Sequence, residues 1–292
     1  MVQVQEDRHI LAGLLCGSLS HDRVWEGSDI DLILIFTDDQ KTKDHSVSLV
    51  ENDVNIHANV LSRSGFKKWV EGAAANSFTH SLVAKGKLIF SKDPSIDAFL
   101  EEIRTLGSRD SQIQLLNAGA SVSYGYNKAQ KFFLTRGDLD YTALFILYAA
   151  TPLAQIEVGL AGELIDREVI PRAVELNPGF FNVVYTDLLN KKKTRKSVAG
   201  ALSAIEDYMQ AHLLDCFRPV LEYLEAEADA RSSTDIDHHF KRHYGMSNTV
   251  AACEWLADAG VLEKASIPVK LTTRSQLEVP ELAFLYIGEP LG

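Results

Sequence analysis

Two aspartates stand at the entrance to an uninterrupted apolar run, Asp29-Ile30-Asp31-Leu32-Ile33-Leu34-Ile35-Phe36. A run of this length and character reads as a buried strand, and side chains two apart on a strand project from one face. Both carboxylates therefore converge on one point. Hard oxygen ligands suit magnesium, which commonly takes one or two carboxylates together with substrate phosphates. Upstream, Gly17-Ser18 forms a turn that lets the backbone approach a triphosphate and supplies N–H and hydroxyl donors. These parts point to phosphoryl or nucleotidyl transfer.

At 292 residues the chain is long enough for two or three compact units. Residues from about Asp7 to Leu15 show helical periodicity and end at Gly17-Ser18. A second strand is expected over Val54 to Leu61, followed by Ser62-Arg63-Ser64-Gly65, where a capping serine precedes the helical run Phe66 to Val70. A short strand through Leu88-Ile89-Phe90, the turn Ser91-Lys92-Asp93-Pro94 and a helix over Ile96 to Leu106 complete a mixed region. From about Ser111 to Glu227 long amphipathic helical patterns alternate with breaks at Arg136-Gly137-Asp138 and Asn177-Pro178-Gly179. Beyond Ser232-Ser233-Thr234 come helices over Asp235 to His243 and Asn248 to Ala259, then strand-like runs at Val269 to Thr273 and Glu281 to Ile287. That order resembles a helix-turn-helix with a wing. The expected class is α+β: a mixed-sheet domain over 1–107, an all-α bundle over 108–230 and a winged-helix-like domain over 231–292.

The series Gly17-Ser18, a variable gap, then Asp29-Ile30-Asp31 leading into a hydrophobic strand resembles the nucleotidyltransferase superfamily of DNA polymerase beta type. The likeness extends over residues from about 8 to 105, because Ala84 to Asp93 resembles a later strand of the aminoglycoside nucleotidyltransferase-like branch. A helical domain after the catalytic one fits that branch as well. The resemblance implies that Gly17 and Ser18 bind the nucleotide while Asp29 and Asp31 are catalytic and hold Mg2+ or Mn2+. A nucleoside triphosphate would be the substrate, and a hydroxyl of a small molecule or a protein the acceptor.

The family places a third carboxylate on a neighbouring strand, and here the matching position falls on Asn55. Asparagine offers only a neutral carbonyl, a weaker magnesium ligand that cannot take a proton from the attacking hydroxyl. Strand alternation puts Asp53, Asn55 and His57 on one face, so all three are third-position candidates. In some relatives a glutamate of the helical domain is the base, and Glu157 and Glu163 qualify by location. The missing carboxylate also supports a rival expectation: a protein of this fold that binds a nucleotide or a partner without catalysis.

Composition narrows the partners. A net charge of -11 disfavours general attraction to nucleic acid or anionic lipid. Three scattered cysteines, Cys16, Cys216 and Cys253, suggest neither a disulfide framework nor a zinc site. The polar N-terminus has no apolar leader, and no apolar run is read as long enough to cross a bilayer, so a cytoplasmic location without membrane contact is expected. Lys191-Lys192-Lys193-Thr194-Arg195-Lys196 reads as a solvated loop, and His238, His239 and His243 as surface residues. Tyr124, Tyr126, Lys128 and Lys131 stand at near-helical spacing, and their aromatic stripe reads as core rather than as a cleft-facing surface.

Overall fold

The computed structural model describes residues 2–17, 29–38, 43–71, 82–104, 108–165, 168–272 and 274–288. Its chain divides into two compact units, Met1–Gly107 and Ser108–Gly292.

The first unit is built on a five-stranded sheet. A short helix, α1 (Val2–Glu6), leads into β1 (Ile10–Cys16), followed by β2 (Ile30–Phe36), β3 (His45–Glu51), β4 (Val54–Ser62) and β5 (Lys87–Ser91). The spatial order is β3-β4-β2-β1-β5. The helical periodicity over Asp7 to Leu15 does not produce a helix, because Ile10–Cys16 is a strand. Seven mostly apolar residues fit a buried strand as well as two helical turns. Ladder pairing decides: β1 bonds antiparallel to β2 on one side and to β5 on the other. Gly13 permits this packing, since a Cβ there would come within 2.8 Å of the Phe90 ring on β5. Although β1 and β2 are antiparallel neighbours, residues 17–29 separate them in sequence.

β2 and β4 run parallel, with Asp31 opposite His57 and Phe36 opposite Ser62. β3 closes the edge as a hairpin with β4, Glu51 pairing with Val54 across the two-residue turn Asn52-Asp53. Both turn residues are left-handed, with φ of 49° and 61°, as the turn type matched to strand twist requires. The helix α2 (Arg63–Glu71) follows β4 directly and packs on β2 and β4. Ser62 is the capping serine, its Oγ accepting from the Gly65 N–H at 3.1 Å. Helix α3 (Pro94–Ile103) starts with proline in its first turn and Asp93 accepting from the Ser95 N–H. Phe66 and Phe99 meet edge to face between these helices. On the other side of the sheet Leu32, Leu34 and Ala58 are buried, with Val4, Val47, Ile56 and Val60 against them.

The second unit opens with two long helices, α4 (Ser108–Arg136) and α5 (Leu139–Leu160), packed side by side and joined through Gly137-Asp138. Asp138 caps α5 by accepting from the Tyr141 N–H. By length and composition α5 is long and apolar enough to cross a membrane, which corrects the sequence expectation that no run is. Its charged residues, Asp140 and Glu157, lie near its ends, so the uncharged stretch between them is long. Ile146, Leu153, Ile156 and Val158 of α5 are buried within the protein, the pattern of a bundle helix. Helices α6 (Val169–Leu176), α7 (Pro178–Phe181) and α8 (Asp187–Asn190) follow, with a π-helical turn, Asn182–Thr186, between the last two. The bundle continues with α9 (Arg195–Ala211) and α10 (Leu213–Glu227).

The C-terminal part comprises β6 (Arg231–Ser232), α11 (Ser233–Tyr244), α12 (Thr249–Asp258), β7 (Leu262–Lys270) and β8 (Glu278–Tyr286). Its three strands form a sheet in the order β6-β8-β7. Glu281 of β8 ties α11 to the sheet by accepting from the Thr234 N–H and the Ser233 hydroxyl. The chain does not separate near residue 231: α12 packs on α4, and the Trp255 ring lies 5.1 Å from that of Tyr126 at a tilt of 52°.

All three thiols are buried. Burial, and secondarily nearby Asp31 and Asp215, push Cys16 and Cys216 up to about 12, and burial also raises Cys253. Native protein at pH 8 is therefore expected to show no fast-reacting thiol toward DTNB and three after unfolding; a rapid native reaction would mean that one of these sites opens.

Candidate active site

The candidate site lies at the end of the sheet where β2 and β4 begin. Asp31 is the second residue of β2, and Asp29 immediately precedes the strand. Because Ile30 pairs with Ile56 and Asp31 with His57 in parallel register, Asp31 and His57 share one face. Asn55 stands one residue before the Ile30–Ile56 pair, level with Asp29 and on the same face, and it is exposed. Asp53 does not join them. It occupies the β3–β4 turn with positive φ, beyond the first residue of β4.

His57 Nε2 is 3.2 Å from Asp29 Oδ2, and the two side chains are 51% and 44% exposed. The contact is thus open to solvent and to a ligand. Gly17 follows the last residue of β1 with φ +72°, a conformation that L side chains rarely adopt. It ends a strand and not a helix, and its backbone faces Asp31. A Cβ on Gly17 would collide with Asp31 Oδ2 and fall 3.2 Å from Cγ. Glycine is therefore what allows the carboxylate to lie against this turn. Cys16, beside it, pairs with Asp31 across the ladder and is buried. Ser18 and the rest of the gap to Asp29 lie outside the described residues.

The structure brings together Gly17, Asp29, Asp31, His57 and, level with them, Asn55. Two carboxylates, a neutral-capable imidazole and a side chain-free turn suit a divalent cation with a bound phosphate. Among the described residues no group of three or more His, Cys, Asp or Glu is already gathered as a metal cage. A hydroxyl absent from the sequence reading, Ser48 of β3, completes the row, its Oγ 3.2 Å from His57 Nδ1. Only strand pairing reveals it, since nothing in its local sequence marks it.

Several other residues marked by the sequence have structural partners. Glu157 accepts from the Tyr208 hydroxyl at 2.8 Å and from Asn177 Nδ2 at 3.2 Å, and Glu163 pairs with Arg172. Burial and Glu157 together hold Tyr208 protonated by raising its pKa far above the usual phenol range. In the basic run Lys191 pairs with Asp187, Lys193 with Asp140, and Arg195 lies over the Phe133 ring. Tyr124 is exposed with Lys128 near its ring, whereas Tyr126 is buried and donates to Glu206. The His239 and His243 rings lie 4.5 Å apart and tilted on α11.

Asp53→Gly separates turn from site. Glycine suits the second left-handed turn position better than aspartate, so stability should rise by roughly 0.5 kcal/mol. Nucleotide affinity measured by calorimetry should be unchanged, and a tenfold loss would bring Asp53 back into the site.

Residues 3–95 match the family model described as Polymerase beta, Nucleotidyltransferase. The crystal structure of a nucleotidyltransferase-like protein from Exiguobacterium sibiricum aligns with a TM-score of 0.66, over 98% of this chain and 96% of that one. The two sequences are 13% identical, so the likeness is one of fold. No curated protein matches the chain.

Proposed function

We propose, from the match of residues 3–95 to a nucleotidyltransferase family model and from the likeness of fold, that this protein transfers a nucleoside monophosphate from a nucleoside triphosphate to a hydroxyl group. The observation that carries the reading is the carboxylate pair Asp29 and Asp31 at the mouth of β2, Asp31 lying against a turn cleared by Gly17 and Asp29 beside His57. Asp29 and Asp31 would hold Mg2+ or Mn2+, whose charge offsets that developing on the α-phosphate and the departing pyrophosphate. Gly17 and Ser18 would hold the triphosphate through backbone N–H groups and the Ser18 hydroxyl. His57, beside Asp29, would orient an attacking hydroxyl where relatives use a third carboxylate. Asn55, exposed and neutral, would border the acceptor.

The acceptor is a small molecule or a protein. A cytoplasmic location fits the widely spaced free thiols. We read the helix pair and three-stranded sheet of the C-terminal part as a winged-helix-like module, a reading their element order supports. In the recognition position α12 carries Glu254 and Asp258 and no Lys or Arg, which favours a protein partner over DNA.

A second reading, nucleotide binding without turnover, is favoured by the absence of an acidic residue at Asn55 and His57. Calorimetric titration of a non-hydrolysable ATP analogue, with and without magnesium, tests what both readings share. Metal-dependent binding supports them, and no binding to any nucleoside triphosphate removes both.

A further inference from the structure

A row of polar side chains crosses the sheet on the face of the carboxylate pair. Ser48 stands opposite His57, and His57 opposite Asp31. Ser48 Oγ is 3.2 Å from His57 Nδ1, and His57 Nε2 is 3.2 Å from Asp29 Oδ2. A carboxylate only accepts, so in the neutral ring Nε2 carries the hydrogen and Nδ1 offers its lone pair to the serine hydroxyl. A nucleophile, its base and the acid that orients the base are thereby connected. Ser46, two residues earlier, shows the contrast: its hydroxyl donates to Asn59 Oδ1 at 2.7 Å, a partner that cannot take a proton.

Ser48 is exposed on an edge strand, within the same compact unit as the site. Two strand spacings, roughly 10 Å, separate its backbone from that of Asp31, and His57, on the strand between them, links the two ends of the row. We propose that Ser48 is a self-modification site, accepting on its hydroxyl the nucleoside monophosphate that the adjoining carboxylate site transfers. The inference rests on the nucleotidyl-transfer reading above. In the step, a bond forms between Ser48 Oγ and the α-phosphorus, and the bond from that phosphorus to the oxygen bridging to the β-phosphate breaks. Pyrophosphate leaves with the electron pair, and the hydroxyl proton passes to His57 Nδ1 while Asp29 holds Nε2–H. The product is a serine phosphodiester.

The test incubates the full chain with each α-32P-labelled nucleoside triphosphate and Mg2+ or Mn2+. Expected is one label per chain that survives denaturation and maps to the peptide containing Ser48. Ser48→Ala should remove it, His57→Gln should slow it about 100-fold, and Ser46→Ala should leave it unchanged. A second readout needs neither metal nor nucleotide: 15N NMR of His57 at alkaline pH should show the Nε2–H tautomer, with the Nδ1 resonance moving in Ser48→Ala. An Nδ1–H tautomer, or label that persists in Ser48→Ala, overturns the proposal. Metal-dependent binding of the ATP analogue without any label overturns it and leaves the transfer reading standing, whereas absence of both binding and label removes the two together.

Discussion

Asp29→Asn and Asp31→Asn combined are expected to weaken metal-dependent binding of an ATP analogue by ~100-fold or more, about 2.7 kcal/mol, while the protein stays folded. Asparagine keeps the size of each side chain and a carbonyl oxygen, so the entrance to β2 keeps its packing. What disappears is charge. Asp29 is 44% exposed, and Asp31 lies against the Gly17 turn, so neither carboxylate anchors the core. Removing two like charges from one strand face should leave the thermal midpoint unchanged or slightly raised. The contact from Asp29 to His57 would weaken, but exposed pairs of this kind contribute little to stability. Calorimetry with and without magnesium, alongside a thermal melt, checks both halves. Undiminished binding in the double variant would sink the site assignment.

Gly17→Val should have the second largest effect, and on two quantities together. A β-branched residue at φ +72° costs about 1–2 kcal/mol in backbone conformation alone. Its Cβ would also collide with Asp31 Oδ2, so the carboxylate must rotate away from the turn. Lower thermal stability is therefore expected with at least ~10-fold weaker nucleotide binding, about 1.4 kcal/mol. The combination is diagnostic, because a variant that only strained the backbone would melt earlier yet bind normally. Normal binding by Gly17→Val would mean that Asp31 is not needed in its present orientation.

The strand that carries the candidate carboxylates was more legible in the sequence than its neighbours, for reasons visible in particular residues. Asp29-Ile30-Asp31 could be read because β2 is covered on both faces, which gives a continuous apolar run with its polar entrance exposed. The same cause hid β1: Ile10–Cys16 is central too, and a short apolar run does not distinguish strand from helix. β3 left no signal because almost all of its residues are exposed on an edge strand. The shared face of Asn55 and His57 follows from alternation, but which of them stands opposite Asp31 is set by pairing with a distant strand. Asp53 fell out of the face because the hairpin turn takes it. In the second unit α4 and α5 follow from their apolar periodicity and the Gly137-Asp138 break. β7 begins earlier than expected because Leu262–Lys270 buries only one side and gives a weak apolar run.

β1 and β2 are antiparallel neighbours, a pair that a two-residue turn could connect. Instead residues 17–29 join them, and both ends of that connection, Gly17 and Asp29, belong to the candidate site. The ladder between β1 and β2 fixes where these two ends stand. A lineage carrying this architecture can therefore vary the residues between Gly17 and Asp29 while the strands that bear the candidate site stay paired. Grafts exchanged between relatives at Gly17 and Asp29 are the natural units for redirecting its specificity.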